Sequence, residues 1–176
     1  VHDAGSNTRV AQARNANLYF GGHYHFDVAD VDGDGDLDIA SSSGYADSGS
    51  IDILRNDGSG TFGGFPITYV APTYASSVKL RELNGDGLVD LLWADKYPPY
   101  SFRWRFNQGG GNFGPTQSSP DVATCGVTLD DAIDAWDFDG DGDLDPVLME
   151  NLACGGVADK RLFISENDGA GGMHLQ

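Results

Sequence analysis

The sequence predicts an all-β fold made of three four-stranded antiparallel units. Three observations predict it. A nine-residue acidic loop occurs three times, as DVDGDGDLD at 30–38, ELNGDGLVD at 82–90 and DFDGDGDLD at 137–145. A glycine-rich turn follows each loop: NDGSGTF at 56–62, NQGGGNF at 107–113 and NDGAGGM at 167–173. Between these landmarks apolar residues alternate at period two over short runs, and no segment carries a helical period. The third loop position advances by 52 residues from Asp32 to Asn84 and by 55 from Asn84 to Asp139. A period of about 50 residues means one supersecondary unit per repeat.

The elements follow in chain order. A first strand runs into each loop: Phe26, Val28 and Asp30 alternate with Asp27 and Ala29, and the pattern recurs at Val78, Leu80 and Glu82 and at Ile133, Ala135 and Asp137. A second strand leaves each loop, at 39–42, 91–94 and 147–150, and a third precedes each glycine turn, at 51–54, 102–105 and 162–165. The turns use Gly where the chain needs positive φ. A fourth strand is expected at 67–70 in the first repeat and around Val122 in the second. Four antiparallel strands per repeat form the meander of a β-propeller blade. The expected organisation is therefore a propeller-like array: an N-terminal strand segment at 1–25, and blades at 26–77, 78–132 and 133–176, the last with its fourth strand incomplete. Three blades fall short of the roughly four to eight that close a propeller. The segment 1–25 could complete the last blade, finish a preceding one, or pair with a neighbouring subunit.

Oxygen-bearing residues at loop positions 1, 3, 5 and 9 with Gly at position 6 are what a hard cation such as Ca2+ requires. In the first loop the ligands by spacing are Asp30, Asp32, Asp34 and Asp38, with the backbone carbonyl of Asp36. In the third they are Asp137, Asp139, Asp141 and Asp145, with the carbonyl of Asp143. The second loop offers Glu82, Asn84, Asp86 and Asp90, with the carbonyl of Leu88. It is expected to be the weakest of three Ca2+ sites, because Glu replaces Asp at position 1 and Asn84 carries no charge. Gly35, Gly87 and Gly142 supply the sharp turn. An EF-hand would need a bidentate Glu at position 12 between two helices, whereas Ser41, Trp93 and Leu148 stand there and the flanks are strands. The alternative is an Asx-rich turn without metal, which mutual repulsion of five carboxylates disfavours in the first and third loops.

The formal net charge is −17, and 13 of the 27 acidic residues lie in the three loops, so the acidity is largely a metal-site property. A surface this negative repels phosphate backbones and anionic lipid, so no nucleic-acid partner is expected. Membrane insertion is not expected either, since no run of 18 or more apolar residues occurs. The start VHDAGSNTRV lacks the charged and apolar regions of a signal peptide, as the mature end of an exported chain would. Cys125 and Cys154 enclose a segment short enough to bridge, and a disulfide is expected in an oxidising compartment, with two free thiols as the alternative.

Other constellations carry less. His23, His25 and Asp27 alternate along a strand at a spacing that suits Zn2+, but no fourth ligand is identifiable and a polar contact between blades is preferred. Phe102 and Trp104 match Ile51 and Ile53 of the first repeat and are assigned to the core, which leaves Tyr97, Tyr100 and Phe106 as sugar-stacking candidates. Trp136 matches Ala29 and Arg81 and could lie in a groove between blades. No nucleophile elbow, zinc-protease motif or phosphate-binding glycine loop is present, and the chain is not expected to be an enzyme.

FDVADVDGDGDLDIA at 26–40 followed by LRNDGSGTF at 54–62 resembles the FG-GAP/VCBS repeat family, and the resemblance extends over roughly residues 26 to 173. Glu82, Leu88 and Pro146 depart from its pattern. The resemblance implies calcium-binding propeller blades, as in integrin α-subunit propellers and some fungal lectins, in a secreted or surface-attached protein. It implies binding or adhesion to carbohydrate or an extracellular protein. Two alternatives stand beside it: a structural subunit of an extracellular assembly joined through terminal strands, and part of a polysaccharide-active enzyme, since some lyases resemble this family in fold and calcium use.

Overall fold

A computed structural model describes residues 22–45, 48–59, 62, 67–71, 74–97, 100–120, 127–128, 133–154 and 157–175. Among them there is no helix; all regular structure is strand, in three antiparallel sheets. The first sheet holds β1 (Gly22–Ala29), β2 (Asp38–Tyr45), β3 (Ser48–Leu54) and β4 (Ile67–Ala71), hydrogen-bonded in chain order. The second holds β5 (Ala75–Arg81), β6 (Asp90–Asp95), β7 (Phe102–Arg105) and β8 (Gln117–Ser118) in the same order. In the third, β9 (Val127–Thr128) and β10 (Ile133–Trp136) both pair with β11 (Asp145–Cys154), which is followed by β12 (Val157–Asn167) and β13 (Met173–Leu175). The pairs Ala29 with Asp38, Arg81 with Asp90 and Trp136 with Asp145 close the three acidic loops in one common register.

Several boundaries differ from the sequence expectation. The first two sheets divide between Ala71 and Ala75 rather than after residue 77, because Ser76 and Ser77 are buried strand residues and Ser76 Oγ donates to the Ala94 carbonyl. β1 begins at Gly22, ahead of Phe26. Gln117–Ser118 pairs as the fourth strand of the second sheet, and the run expected around Val122 lies outside the described residues, which omit 121–126. The third sheet does gain a fourth strand: Met173–Leu175 pairs with Ser165 to Asn167. Residues 1–21 of the expected N-terminal strand segment lie outside the described residues.

The sheets stack through two apolar interfaces. Val31, Ala40, Ile51 and Ile53 of the first sheet meet Val78, Leu80, Leu91 and Trp93 of the second. Leu83, Leu92, Phe102 and Trp104 of the second meet Ile133, Ala135 and Leu148 of the third. The middle sheet is thus covered on both faces, which is why DLLWAD reads as a near-continuous apolar run and β6 is buried at every position. Burying each Leu, Ile or Phe contributes about 1.5–3 kcal/mol. Edge-on packing of Tyr69 against Phe113, and the Arg105 guanidinium 4.8 Å from the Tyr69 ring centre, extend the first interface outward.

Polar links cross the same interfaces. Arg81 on β5 donates to Asp27 on β1 at 2.8 Å and pairs with Asp134 on β10 at 2.8 Å. Asp27 also accepts the Leu80 N–H. This carboxylate therefore makes the polar contact between sheets that the sequence reading preferred over a zinc site; the side chain of His23 lies outside the described residues.

Candidate metal centres

Each loop is folded by the acid at its first position. Asp30 accepts the N–H groups of Gly33 at 2.7 Å and Gly35 at 2.9 Å, one on each oxygen. Asp137 does the same for Gly140 and Gly142. Gly35 and Gly142 sit at φ 94° and 102°, a region L side chains rarely adopt, so the sixth position needs Gly. In the second loop the longer Glu82 side chain takes both its bonds on Oε1, from Asn84 and Gly85. Asp34, Asp86 and Asp141 at position 5 each accept the N–H two residues on.

In the first loop Asp30, Asp32 and Asp38 each bring one carboxylate oxygen within 4.8 Å of the others, and in the third loop Asp137, Asp139 and Asp141 do so. These are the two such groups among the described residues. Glu82, Asp86 and Asp90 are not drawn into a third, and Asn84 Nδ2 instead donates to Asp86 Oδ2 at 3.2 Å. At position 7 the side chains of Asp36 and Asp143 lie against Gly58 and Gly169 of the following glycine turn, where a Cβ would collide with them. Leu88 is half-buried at this position.

The ninth position has a second task that sequence reasoning missed. Asp38 accepts the N–H of Val31 on Oδ2 and of Asn56 on Oδ1. Asp90 accepts Leu83 and Asn107, and Asp145 accepts Phe138 and Asn167, in the same arrangement. All three carboxylates are buried. Each ties the second loop position to the Asn that opens the glycine turn.

That Asn continues the link into the neighbouring sheet. Asn107 Nδ2 donates to the Val31 carbonyl of the first acidic loop at 2.8 Å and to Val89 of its own loop at 3.0 Å. Asn167 Nδ2 donates to Leu83 of the second loop at 2.7 Å and to Leu144 of its own at 3.1 Å. The sequence shows these residues as turn formers; the available signal was that Asn opens all three turns while the residue after it varies.

Crowding perturbs the acids. Burial pushes the Asp90 carboxyl up to about 6, against the lowering effect of the Asn107 and Leu83 N–H groups, with Asp86 and Glu82 adding to the rise. Asp38 is raised for the same main reason, opposed by the N–H groups of Asn56 and Val31. At Asp139 the largest influence, the Asp141 N–H, lowers it, yet desolvation and the Asp141 and Asp145 carboxylates leave it raised. Desolvation and the neighbours Asp141 and Asp137 likewise raise Asp143. Carboxylates that resist ionisation together are relieved by a cation among them.

The other candidates separate. Tyr97 is exposed, edge-on to Tyr74, while Tyr100 and Phe106 pack against the second apolar cluster. Trp136 is exposed. A cavity of about 310 Å3 lies where the three first strands meet, lined in part by His25, Phe26, Lys79, Asp134, Met149 and Leu162. Cys125 lies outside the described residues and nothing of the Cys154 side chain is described, so the expected disulfide falls outside them too.

Residues 82–148 match the family model of an FG-GAP-like repeat. No curated protein and no solved structure matches the chain. The matched stretch starts at the first residue of the second acidic loop, includes the whole third loop, and ends within β11. Over residues 82–148, spanning two of its three acidic loops, this chain carries an FG-GAP-like repeat, and the resemblance to the FG-GAP repeat family seen in its sequence holds.

Proposed function

We propose that the chain is a Ca2+-stabilised β-propeller module that works outside the cell in binding or adhesion, without catalysis. The observation that carries the metal reading is the convergence of three carboxylate oxygens to within 4.8 Å in each of two loops. Oxygens that share one Ca2+ at about 2.4 Å lie at most about 4.8 Å apart. The donors are all hard oxygen, with no His or Cys among them, which suits Ca2+ rather than Zn2+ or Cu2+. In the first loop Asp30, Asp32, Asp34, Asp38 and the Asp36 carbonyl would hold the ion; in the third, Asp137, Asp139, Asp141, Asp145 and the Asp143 carbonyl. Glu82, Asn84, Asp86, Asp90 and the Leu88 carbonyl form a third, weaker site.

Three stacked sheets with an acidic loop between first and second strands, and the FG-GAP-like match, support consecutive propeller blades. Extracellular Ca2+ is plentiful enough to fill sites of modest affinity, which supports that location. The exposed Tyr97 and Trp136 offer stacking faces for a glycan or an extracellular protein. Calorimetric titration of chelated protein with Ca2+, followed by a glycan array, tests the reading. Two tight and one weaker Ca2+ per chain, with saturable glycan binding, is the expected result. No heat of Ca2+ binding would remove the metal reading, and an array without saturable binding would remove the glycan ligand.

A further inference from the structure

The first and third acidic loops, DVDGDGDLD and DFDGDGDLD, differ only at their second residue, Val31 against Phe138. Every position able to ligate is the same. A difference in cation affinity between them has to come from that one residue or from the surroundings, and the surroundings of the first loop include a cation. Arg55, which follows β3, places Nη1 3.6 Å from Asp32 Oδ2. The other oxygen of this carboxylate, Asp32 Oδ1, is buried and has no hydrogen-bond partner among the described residues. Asp32 thus turns one oxygen to a guanidinium and keeps the other unpaired.

The guanidinium is fixed from the neighbouring sheet. Arg55 Nη2 donates to the Gly110 carbonyl at 2.5 Å, and the group lies over Gly111, where a Cβ would come within 2.7 Å of Nη2 and 3.1 Å of Cζ. The bare Gly111 is what lets it approach. The next junction is built the same way: Phe106, also just ahead of a turn Asn, lies over Gly171, where a Cβ would collide with its ring. The two junctions share a shape and differ in charge. In the third repeat this position holds Glu166, so Arg55 is the basic residue of the three. Its charge is permanent at any working pH.

We propose that Arg55 is a resident cation that holds the Ca2+ affinity of the first loop below that of the third. The inference rests on the reading of these loops as Ca2+ sites, in which Asp32 is the ligand at position 3. A Ca2+ ion entering the first loop meets a carboxylate already partly neutralised, and it meets the guanidinium charge at close range. The same contact steadies the loop when Ca2+ is scarce, because Arg55 offsets part of the repulsion among the converging Asp30, Asp32 and Asp38. Two loops of one ligand set therefore fill at two different Ca2+ levels, the third before the first.

Calorimetric titration of the full chain with Ca2+, at low salt and at about 1 M salt, tests it. Asp139→Asn should abolish the tightest step and Asp32→Asn the next. Arg55→Gln should tighten the first-loop step about three- to tenfold, the effect of a unit charge near a divalent ion in a largely aqueous setting. High salt should narrow that gain to under about twofold, since screening at about 1 M acts within about 3 Å. Arg55→Lys keeps the charge and should stay within about twofold of the unmodified chain. In EDTA, Arg55→Gln should melt below the unmodified chain. Tighter binding by a less stable chain is a pairing that simple damage to the fold does not produce. An Arg55→Gln chain whose Ca2+ binding is unchanged or weaker, an Arg55→Lys chain that behaves like Arg55→Gln, or an Asp32→Asn chain that loses the tightest step would overturn the inference and leave the metal reading standing. Titrations without heat in every form would remove both.

Discussion

Asn107→Ala removes the amide that joins the first and second sheets at their acidic loops. Three hydrogen bonds go with it: the donations to Val31 and Val89, and the acceptance of the Gly109 N–H at 3.0 Å. The buried Val31 carbonyl and the half-buried Val89 carbonyl each lose a partner. Each buried group orphaned in this way costs about 1–3 kcal/mol, so the substitution should cost about 3–5 kcal/mol in all. For a chain of this size 1 kcal/mol shifts the melting temperature by about 2–4 °C, which puts the expected fall near 10 °C.

Circular-dichroism melts and urea midpoints at fixed Ca2+ measure it, with Asn112→Ala as the comparison. Asn112 is exposed and its amide reaches only the Gly109 and Gly110 carbonyls of its own turn, so its removal should cost about 0.5 kcal/mol or less. A second readout separates the link from simple destabilisation. Val31 is the second residue of the first acidic loop, so Asn107→Ala should weaken Ca2+ binding there although it touches none of that loop's ligands. If Asn107→Ala costs no more than Asn112→Ala, the amide does not hold the sheets together and the reasoning fails.

Chelation should lower the melting temperature: with free Ca2+ about tenfold above Kd, linkage supplies roughly 1.4 kcal/mol per site and about 4 for three, and an identical melt in EDTA would refute it. Asp32→Asn and Asp139→Asn should each weaken one of the two tight sites by calorimetry, whereas Asp86→Asn should affect only the weakest; equal effects at all three would contradict the ranking. The Asp90 carboxyl, raised to about 6 from its ordinary 3.8, favours the folded chain most when protonated, so its contribution is present below about 3.8 and lost as pH rises through about 6. The melting difference between Ca2+ and EDTA should therefore widen from pH 5 to pH 7.5, and a constant difference would count against this. A thiol assay on denatured, unreduced protein should find no free thiol if Cys125 and Cys154 are bridged, and two if they are not.

The strands and loops were legible because their signals are local. A nine-residue pattern written three times needs no partner to be recognised, and alternation at period two survives in each first strand. Legibility ends where a residue's role depends on its surroundings. Gln117–Ser118 is an exposed polar edge strand with no apolar signal, so nothing in the sequence points to it, and the buried Ser76 and Ser77 resemble a linker until β6 covers them. At Asp38, Asp90 and Asp145 the sequence discloses an acid able to ligate, but not that both its oxygens accept backbone N–H groups.

Those commitments change how the loops should behave. Asp90 holds the Asn107 backbone, the Asn107 amide holds the Val31 carbonyl, and the Val31 N–H is held by Asp38. An unbroken path of hydrogen bonds therefore runs from the second loop into the first, and Asp145, Asn167 and Leu83 repeat it from the third loop into the second. An ion that fixes one ninth-position carboxylate also fixes the backbone its neighbour needs. Because the second loop lies between two such links, its weak ligand set is held in place from both sides. Ordering it costs least once the first and third loops are filled, so Ca2+ should enter the outer loops first and bind the middle one more tightly as a result.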